Sequence, residues 1–255
     1  MHGQRVDAAL QIAQAALADI PGAADLVRRI CELLQTHLNG QWKLWLGAEL
    51  GQNEKAKYKL YWNADRQTSK SETAFESVLN AMGCTPGSQA RKLIQLLGTG
   101  GYPKMLSLSF SPSGHSGVKL YYRLPNIDFT LLGQAVLTAG FALDPFASYV
   151  HQMLRVREGW SDPNAGLGIG LQEGEIEGLA LYHYTRRYFL DDADLRRQVL
   201  EMSSQFQWDV SAYRASSQLI ASPDERLRSL VGLSVNRTGE TQLRLYARPG
   251  HLARS

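Results

Sequence analysis

Hydrophobic and polar positions follow two different rhythms along the chain. Over residues 5–19 and 22–38, apolar residues recur every three or four positions, the spacing of amphipathic helices, with a break at Pro21-Gly22. Alternation of period two then takes over from Trp42 to Leu50 and again from Lys57 to Trp62, on either side of Gly51-Gln52-Asn53. This pair of alternating runs returns three more times. First runs span Met105 to Phe110, Leu167 to Leu171 and Val231 to Val235, and the second runs carry one short string: Lys59-Leu60-Tyr61, Lys119-Leu120-Tyr121, Ala180-Leu181-Tyr182 and Arg244-Leu245-Tyr246. The repeated tyrosines stand 60, 61 and 64 residues apart. The intervening segments, Ser113-Gly114-His115-Ser116-Gly117, Gln172-Glu173-Gly174 and Asn236-Arg237-Thr238-Gly239, have hairpin-turn chemistry. Helical periodicity fills the gaps, with start or break signals at Ser71, Pro86, Asp128, Pro145, Asp191 and Asp209. The pattern predicts an α-α-β-β unit repeated four times. The expected fold class is α+β, an antiparallel β-barrel with its helices outside, either closed, which removes free edges, or incomplete and open.

Residues two apart on a strand share a face. One face of the second strands reads Tyr58, Leu60, Trp62; Val118, Leu120, Tyr122; Leu179, Leu181, His183; Leu243, Leu245, Ala247, and is expected to carry the helices. The other reads Lys57, Lys59, Tyr61; Lys119, Tyr121, Arg123; Ala180, Tyr182, Tyr184; Arg244, Tyr246, Arg248. On the first strands, leucines such as Leu44, Leu46, Leu106 and Leu108 alternate with Lys43, Trp45, Gly47, Glu49, Met105, Ser107, Ser109, Gly166, Gly168, Gly170, Leu230, Gly232 and Ser234. Small residues on that side leave room, so the polar face lines either a roomy lumen or solvent. The recurrence of Lys or Arg two residues before the Tyr in three of the four units favours the lumen.

With 255 residues, 44% hydrophobic and 20% charged, the chain is ordinary globular protein and fits a single domain over residues 1–255. A net charge of +3 and a pI near 8.8 do not announce a nucleic-acid binder. No apolar run approaches the roughly 18 residues that span a bilayer, and the N-terminus lacks a signal-peptide core, so a cytoplasmic protein with no membrane partner is expected. Cys31 and Cys84 occur singly and read as buried small hydrophobes; the six histidines show no ligand spacing, so no protein-built metal site is expected. Asp191-Asp192-Ala193-Asp194 opens a helix and reads as capping, not as a magnesium motif. Gly166-Leu167-Gly168-Ile169-Gly170 alternates like a strand and lacks the GxGxxG spacing. Arg186-Arg187-Tyr188 and Arg226-Leu227-Arg228 read as solvated surface.

Converging cations suit a polyanion, and phenols add neutral donors. Tyrosine faces also attract a carbocation, by about 0.5–2 kcal/mol per ring. A diphosphate with an allyl chain uses both properties. Leu46-Gly47-Ala48-Glu49-Leu50 with Lys57-Tyr58-Lys59-Leu60-Tyr61-Trp62, Val118-Lys119-Leu120-Tyr121-Tyr122-Arg123 and Leu243-Arg244-Leu245-Tyr246 resemble the ABBA-type aromatic prenyltransferases, over most of the chain. That resemblance implies a prenyltransferase barrel of α-β-β-α units, normally with five hairpins where four are evident here. It implies transfer of a prenyl group, dimethylallyl in the first instance, to an electron-rich aromatic small molecule or peptide side chain. Lys57, Lys59, Lys119, Arg123, Arg244 and Arg248, with Tyr121, Tyr182 and Tyr246, would hold the diphosphate; Tyr61 and Tyr184 would shield the cation, and the acceptor would stack near Trp45. Glu49, inward by parity, is the candidate catalytic base, or else a rim partner for Lys57 or Lys59. No cofactor is required, although Mg2+ could arrive with the diphosphate. A four-unit barrel is open, takes a bulky acceptor, or is closed by a second subunit as a homodimer. Two other readings remain: a non-catalytic barrel that binds an anionic small molecule or peptide, and an RNA-binding β-surface.

Overall fold

The structure, a computed structural model, describes residues 10–39, 42–49, 57–64, 69–156, 159–211, 213–214 and 228–247. The chain divides into two compact units, Met1–Arg123 with Gly168–Glu177, and Leu124–Leu167 with Gly178–Ser255.

Unit 1 begins with two helices, α1 (10–16) and α2 (Ala23–Leu38). Gly22 separates them at φ 71°, a left-handed conformation that explains the break after Pro21. The stripe Leu26, Val27, Ile30 and Leu34 is buried, and α2 packs on α3 (Ser69–Ala81). Strands β1 (Trp42–Glu49) and β2 (Lys57–Ala64) form the first hairpin; α4 (Ser88–Gly100), β3 (Tyr102–Ser111) and β4 (Gly114–Leu124) follow. The sheet order here is β1-β2-β3-β4-β7, with β7 spanning Ala165–Gln172. Both α3 and α4 pack on β3. The face predicted to carry helices is the buried one: Leu60, Trp62, Leu106, Leu108 and Phe110 are all at most 1% exposed. Each such side chain contributes about 1.5–3 kcal/mol of apolar burial. Trp62 donates its Nε1–H to Cys31 Sγ at 3.5 Å. Both cysteines are free and buried, and burial pushes the Cys31 thiol up to about 11.

Turn chemistry needs one correction. The β3–β4 connection is the tight pair Pro112-Ser113, not Ser113 to Gly117, because β4 already begins at Gly114. Gly117 sits inside the strand at φ 153°, where the register shifts between Ser109 and Phe110. Glu173 and Gly174, at φ 51° and 85°, close the β7–β8 hairpin as predicted. The first turn, from Leu50 through Gly51-Gln52-Asn53, lies outside the described residues.

In unit 2, β8 (Glu175–Tyr184), β9 (Arg228–Asn236) and β10 (Thr241–Ala247) pair in that order. Helix α5 (Phe129–Thr138) starts where Asp128 Oδ1 accepts the Leu131 N–H at 2.8 Å; α6 (Asp144–Ser148) runs into a π-helical turn, Tyr149–Met153. Asp191 caps α8 (Asp192–Gln205) by accepting the Asp194 N–H at 2.7 Å, and Asp194 in turn accepts from Leu190 N–H, Arg155 and Arg197. The acidic run therefore caps the start of α8 and carries its own arginines. A single helical turn, α7 (Thr185–Tyr188), precedes α8, and most of the helix expected after Asp209 lies outside the described residues. The Gly-rich run is strand β7, as its alternation indicated.

Among the described residues β1 pairs only with β2 and β10 only with β9. On these two strands the apolar face is less covered: Leu46 is 36% exposed, and Leu243 and Leu245 are only half-buried. No helix among the described residues is long and apolar enough to cross a membrane.

Candidate active site

Register turns the predicted polar face into a map. In unit 1, Tyr61 stands opposite Trp45 on β1 and Ser107 on β3, and Ser107 stands opposite Lys119 on β4. One row further, Lys43, Asn63, Met105 and Tyr121 face one another in the same way; on the other side run Gly47, Lys59, Ser109 and Gly117. Lys59, Tyr61, Lys119 and Tyr121 thus share one face within three successive rows. The Tyr61 and Tyr121 rings approach to 6.4 Å between centroids, and Lys119 Nζ lies 5.5 Å from the Tyr121 ring centre. Tyr121 is 9% exposed, and Trp45, on the same face, is half-exposed. Lys57 is exposed at the start of β2, opposite Glu49 in backbone register. Arg123 faces Tyr102 beyond a register shift at Pro103/Met105. The Glu49 side chain and Arg248 lie outside the described residues.

In unit 2, the same parity collects Tyr182, Tyr184, Arg244 and Tyr246. Tyr182 stands opposite Gly232, which stands opposite Arg244; Tyr184 stands opposite Leu230, which stands opposite Tyr246. The Tyr182 and Tyr246 rings meet edge to face at 5.9 Å. Arg244 donates to Ser234 Oγ at 3.1 Å and to Gln242 Oε1 at 3.2 Å, which holds its guanidinium along the strand. The Arg186 guanidinium lies 5.7 Å from the Tyr184 ring centre.

Gly232 has a specific reason to be glycine. A Cβ there would come within 2.5 Å of Tyr182 Cδ1 and 2.7 Å of the Leu181 carbonyl oxygen. The Tyr182 ring therefore occupies the space a side chain at 232 would need, and Gly232→Ala is expected to displace the ring and lower stability by about 1–3 kcal/mol. Thermal melts and a structure of the variant check this; an unmoved Tyr182 with unchanged stability contradicts it.

Behind β8, on the helix-facing side, the structure assembles a cluster the sequence did not announce. Strands β5 (Ile127–Asp128) and β6 (Ser161–Asp162) pair and deliver Asp162 beneath His183. Asp162 Oδ2 accepts from His183 Nδ1 at 2.7 Å and from the Tyr188 hydroxyl at 2.7 Å, while Oδ1 accepts the Asn164 N–H at 2.8 Å. Burial alone would raise the Asp162 pKa, but these donors outweigh it and hold the carboxyl at about 2. Burial lowers the His183 pKa in spite of Asp162, so the ring is neutral with its proton on Nδ1. The same carboxylate and burial push Tyr188 up to about 12. Trp160, Tyr149 and Tyr188 surround the His183 ring at centroid distances of 5.7, 5.7 and 5.4 Å. Tyr188 is thus part of a buried network and not, as expected, solvated surface. The only advance signal was a histidine on an apolar strand face. Among the described residues no group of three or more His, Cys, Asp or Glu side chains is placed to hold a metal ion.

Comparison with solved structures follows the same pattern. The chain is similar to 6-dimethylallyltryptophan synthase from Micromonospora olivasterospora in complex with DMASPP and Trp, with a TM-score of 0.72 at 16% identity, covering 92% of this chain and 69% of that one. It is similar to 5-dimethylallyltryptophan synthase from Streptomyces coelicolor, with a TM-score of 0.65 at 18% identity, covering 88% and 69%. It is also similar to the prenyltransferase PriB in a ternary complex with L-tryptophan and dimethylallyl thiolodiphosphate, with a TM-score of 0.66 at 15% identity, covering 88% and 67%. No protein-family model and no curated protein matches the sequence. An antiparallel sheet of hairpins with intervening helices, aligned over most of its length with these structures, gives the chain the fold of the aromatic prenyltransferases at about two thirds of their length.

Proposed function

We propose that the chain transfers a prenyl group, dimethylallyl in the first instance, from an allylic diphosphate to an electron-rich aromatic acceptor. The observation that carries this reading is the shared face of Lys59, Tyr61, Lys119 and Tyr121 in unit 1. Two ammonium groups favour the diphosphate as its C1–O bond breaks and the leaving oxygen takes the electron pair. The adjoining phenol rings stabilise the allyl cation and keep water from it. The acceptor ring then supplies an electron pair to the allylic carbon, and a base removes the proton to restore aromaticity. Glu49 is the sequence's candidate for that base. The polar face of unit 2, with Arg244, Tyr182, Tyr184 and Tyr246, repeats the same chemistry and supports the same class of ligand. The fold similarity supports the reading, because two of the similar structures are of prenyltransferases with a dimethylallyl diphosphate analogue and tryptophan bound.

The test is incubation with dimethylallyl diphosphate and a mixture of indoles and phenols, with and without Mg2+. An acceptor mass gain of one C5H8 unit is expected. Tight diphosphate binding with neither ionisation nor acceptor modification would replace the reading with a non-catalytic anion-binding barrel.

A further inference from the structure

We infer that Ser107 and Asn63 form a neutral polar subsite that takes the hydroxyl of a phenolic acceptor. The inference rests on the prenyl-transfer reading for the word acceptor, but its evidence is separate.

Ser107 is 1% exposed, and its Oγ has no hydrogen-bond partner. Asn63 Oδ1 is likewise buried without a partner. Proteins leave few buried polar atoms unsatisfied, and two on one face of adjacent strands point to a ligand group that completes them. Ser107 stands opposite Tyr61, and Asn63 stands opposite Met105, so the two are diagonal neighbours on β2 and β3. Such residues are about 7–8 Å apart at Cα, and one oxygen atom bridges the pair with two hydrogen bonds where their polar atoms lie within about 5.5 Å of each other.

The chemistry of the pair selects the group. Asn63 Oδ1 only accepts, so its partner must carry a proton; the Ser107 hydroxyl can donate, so its partner needs a lone pair. A phenol hydroxyl meets both demands with one atom. An ionised phosphate oxygen has no proton for Asn63, and an indole N–H can donate to either residue but offers no lone pair to the Ser107 proton, so it satisfies the pair only in part. The surroundings fit an aromatic ring: Met105 separates Asn63 from Tyr121 in the same row, and Tyr61 and Trp45 continue the row of Ser107. Lys119, directly opposite Ser107 on β4, places the acceptor beside the proposed diphosphate site.

Equilibrium binding to the whole protein, with dimethylallyl thiolodiphosphate present, tests this with N-acetyl-L-tyrosine amide and its O-methyl ether as probes. The phenol is expected to bind at least about tenfold more tightly than the ether. Ser107→Ala and Asn63→Leu should each bring the ratio close to one, with less than about twofold change in thiolodiphosphate binding. Should Asn63→Leu fail to fold, Ser107→Ala, which deletes a single oxygen, carries the test. Equal binding of phenol and ether by the natural protein overturns the subsite, as does an undiminished ratio in Ser107→Ala. Prenyl transfer to indoles with no phenol preference refutes the subsite alone; phenol preference without prenyl transfer supports it and counts against the transferase reading alone.

Discussion

Replacing Lys119 by alanine is expected to lower kcat/KM for prenyl transfer by about 10²–10³-fold, the usual cost of removing one preorganised group aimed at developing charge. Lys119 sits in the middle of β4, opposite Ser107 and beside the Tyr121 ring, so its ammonium is held over the face where the diphosphate is proposed to leave. The loss should appear in kcat as much as in KM, because the negative charge on the bridging oxygen grows as the bond breaks. Nothing in the core depends on this side chain. Leu106, Leu108, Phe110, Leu120 and Tyr122 point the other way, and the thermal midpoint should move by no more than about 3 °C, as for a surface substitution. Lys57→Ala, at the exposed start of β2, should cost less than about tenfold. If Lys119→Ala retained full turnover while Lys57→Ala did not, the diphosphate site would have to be moved toward the hairpin end.

The contrast between those lysines shows what alternation can and cannot tell. Period two assigns Lys57, Lys59, Tyr61 and Asn63 to one face without any structure, because the pleat fixes it. Hairpin repeats give the order of pairing, and capping aspartates mark α5 and α8, so most of the architecture was readable. The row in which each residue sits was not. It depends on register, and the shifts at Pro103/Met105 and at Ser109/Phe110 come from bulges that the sequence marks only by Pro103 and Gly117. Ser107 read as a small residue leaving room; only the absence of a partner for its Oγ gives it a role. His183 was legible as a buried position, but its partner Asp162 lies 21 residues away on a two-residue strand, a separation that local pattern does not reach.

That partner carries the other large expected effect. Asp162→Asn should destabilise the protein by about 1.5–3 kcal/mol, the range for losing hydrogen bonds to a buried charged group. Both carboxylate oxygens are accepting: Oδ2 from His183 and Tyr188, Oδ1 from the Asn164 N–H. An amide has one acceptor: with its NH2 toward the Asn164 N–H two donors meet, and with its NH2 toward His183 and Tyr188 the ring must move its proton to Nε2 and the hydroxyl must turn. The pH dependence follows from the directions of the two shifts. His183 has a folded pKa below its ordinary 6.5, so the unfolded chain binds its proton first; stability is complete above about 6.5 and declines as the pH falls through that value toward the folded pKa. Asp162, held at about 2 against an ordinary 3.8, adds stability that is complete above 3.8 and is lost as the pH falls toward 2. Thermal melts between pH 7.5 and 4 should therefore show the natural protein losing stability on acidification, and Asp162→Asn already lowered at pH 7.5 by about 3 °C or more. Because Tyr182 and Tyr184 flank His183 on β8 and face the opposite way, loosening this anchor should also broaden the setting of both phenols. A variant that melts within about 2 °C of the natural protein at pH 7.5 would show that Asp162 contributes burial without pairing energy, and that β8 is held by its sheet partners alone.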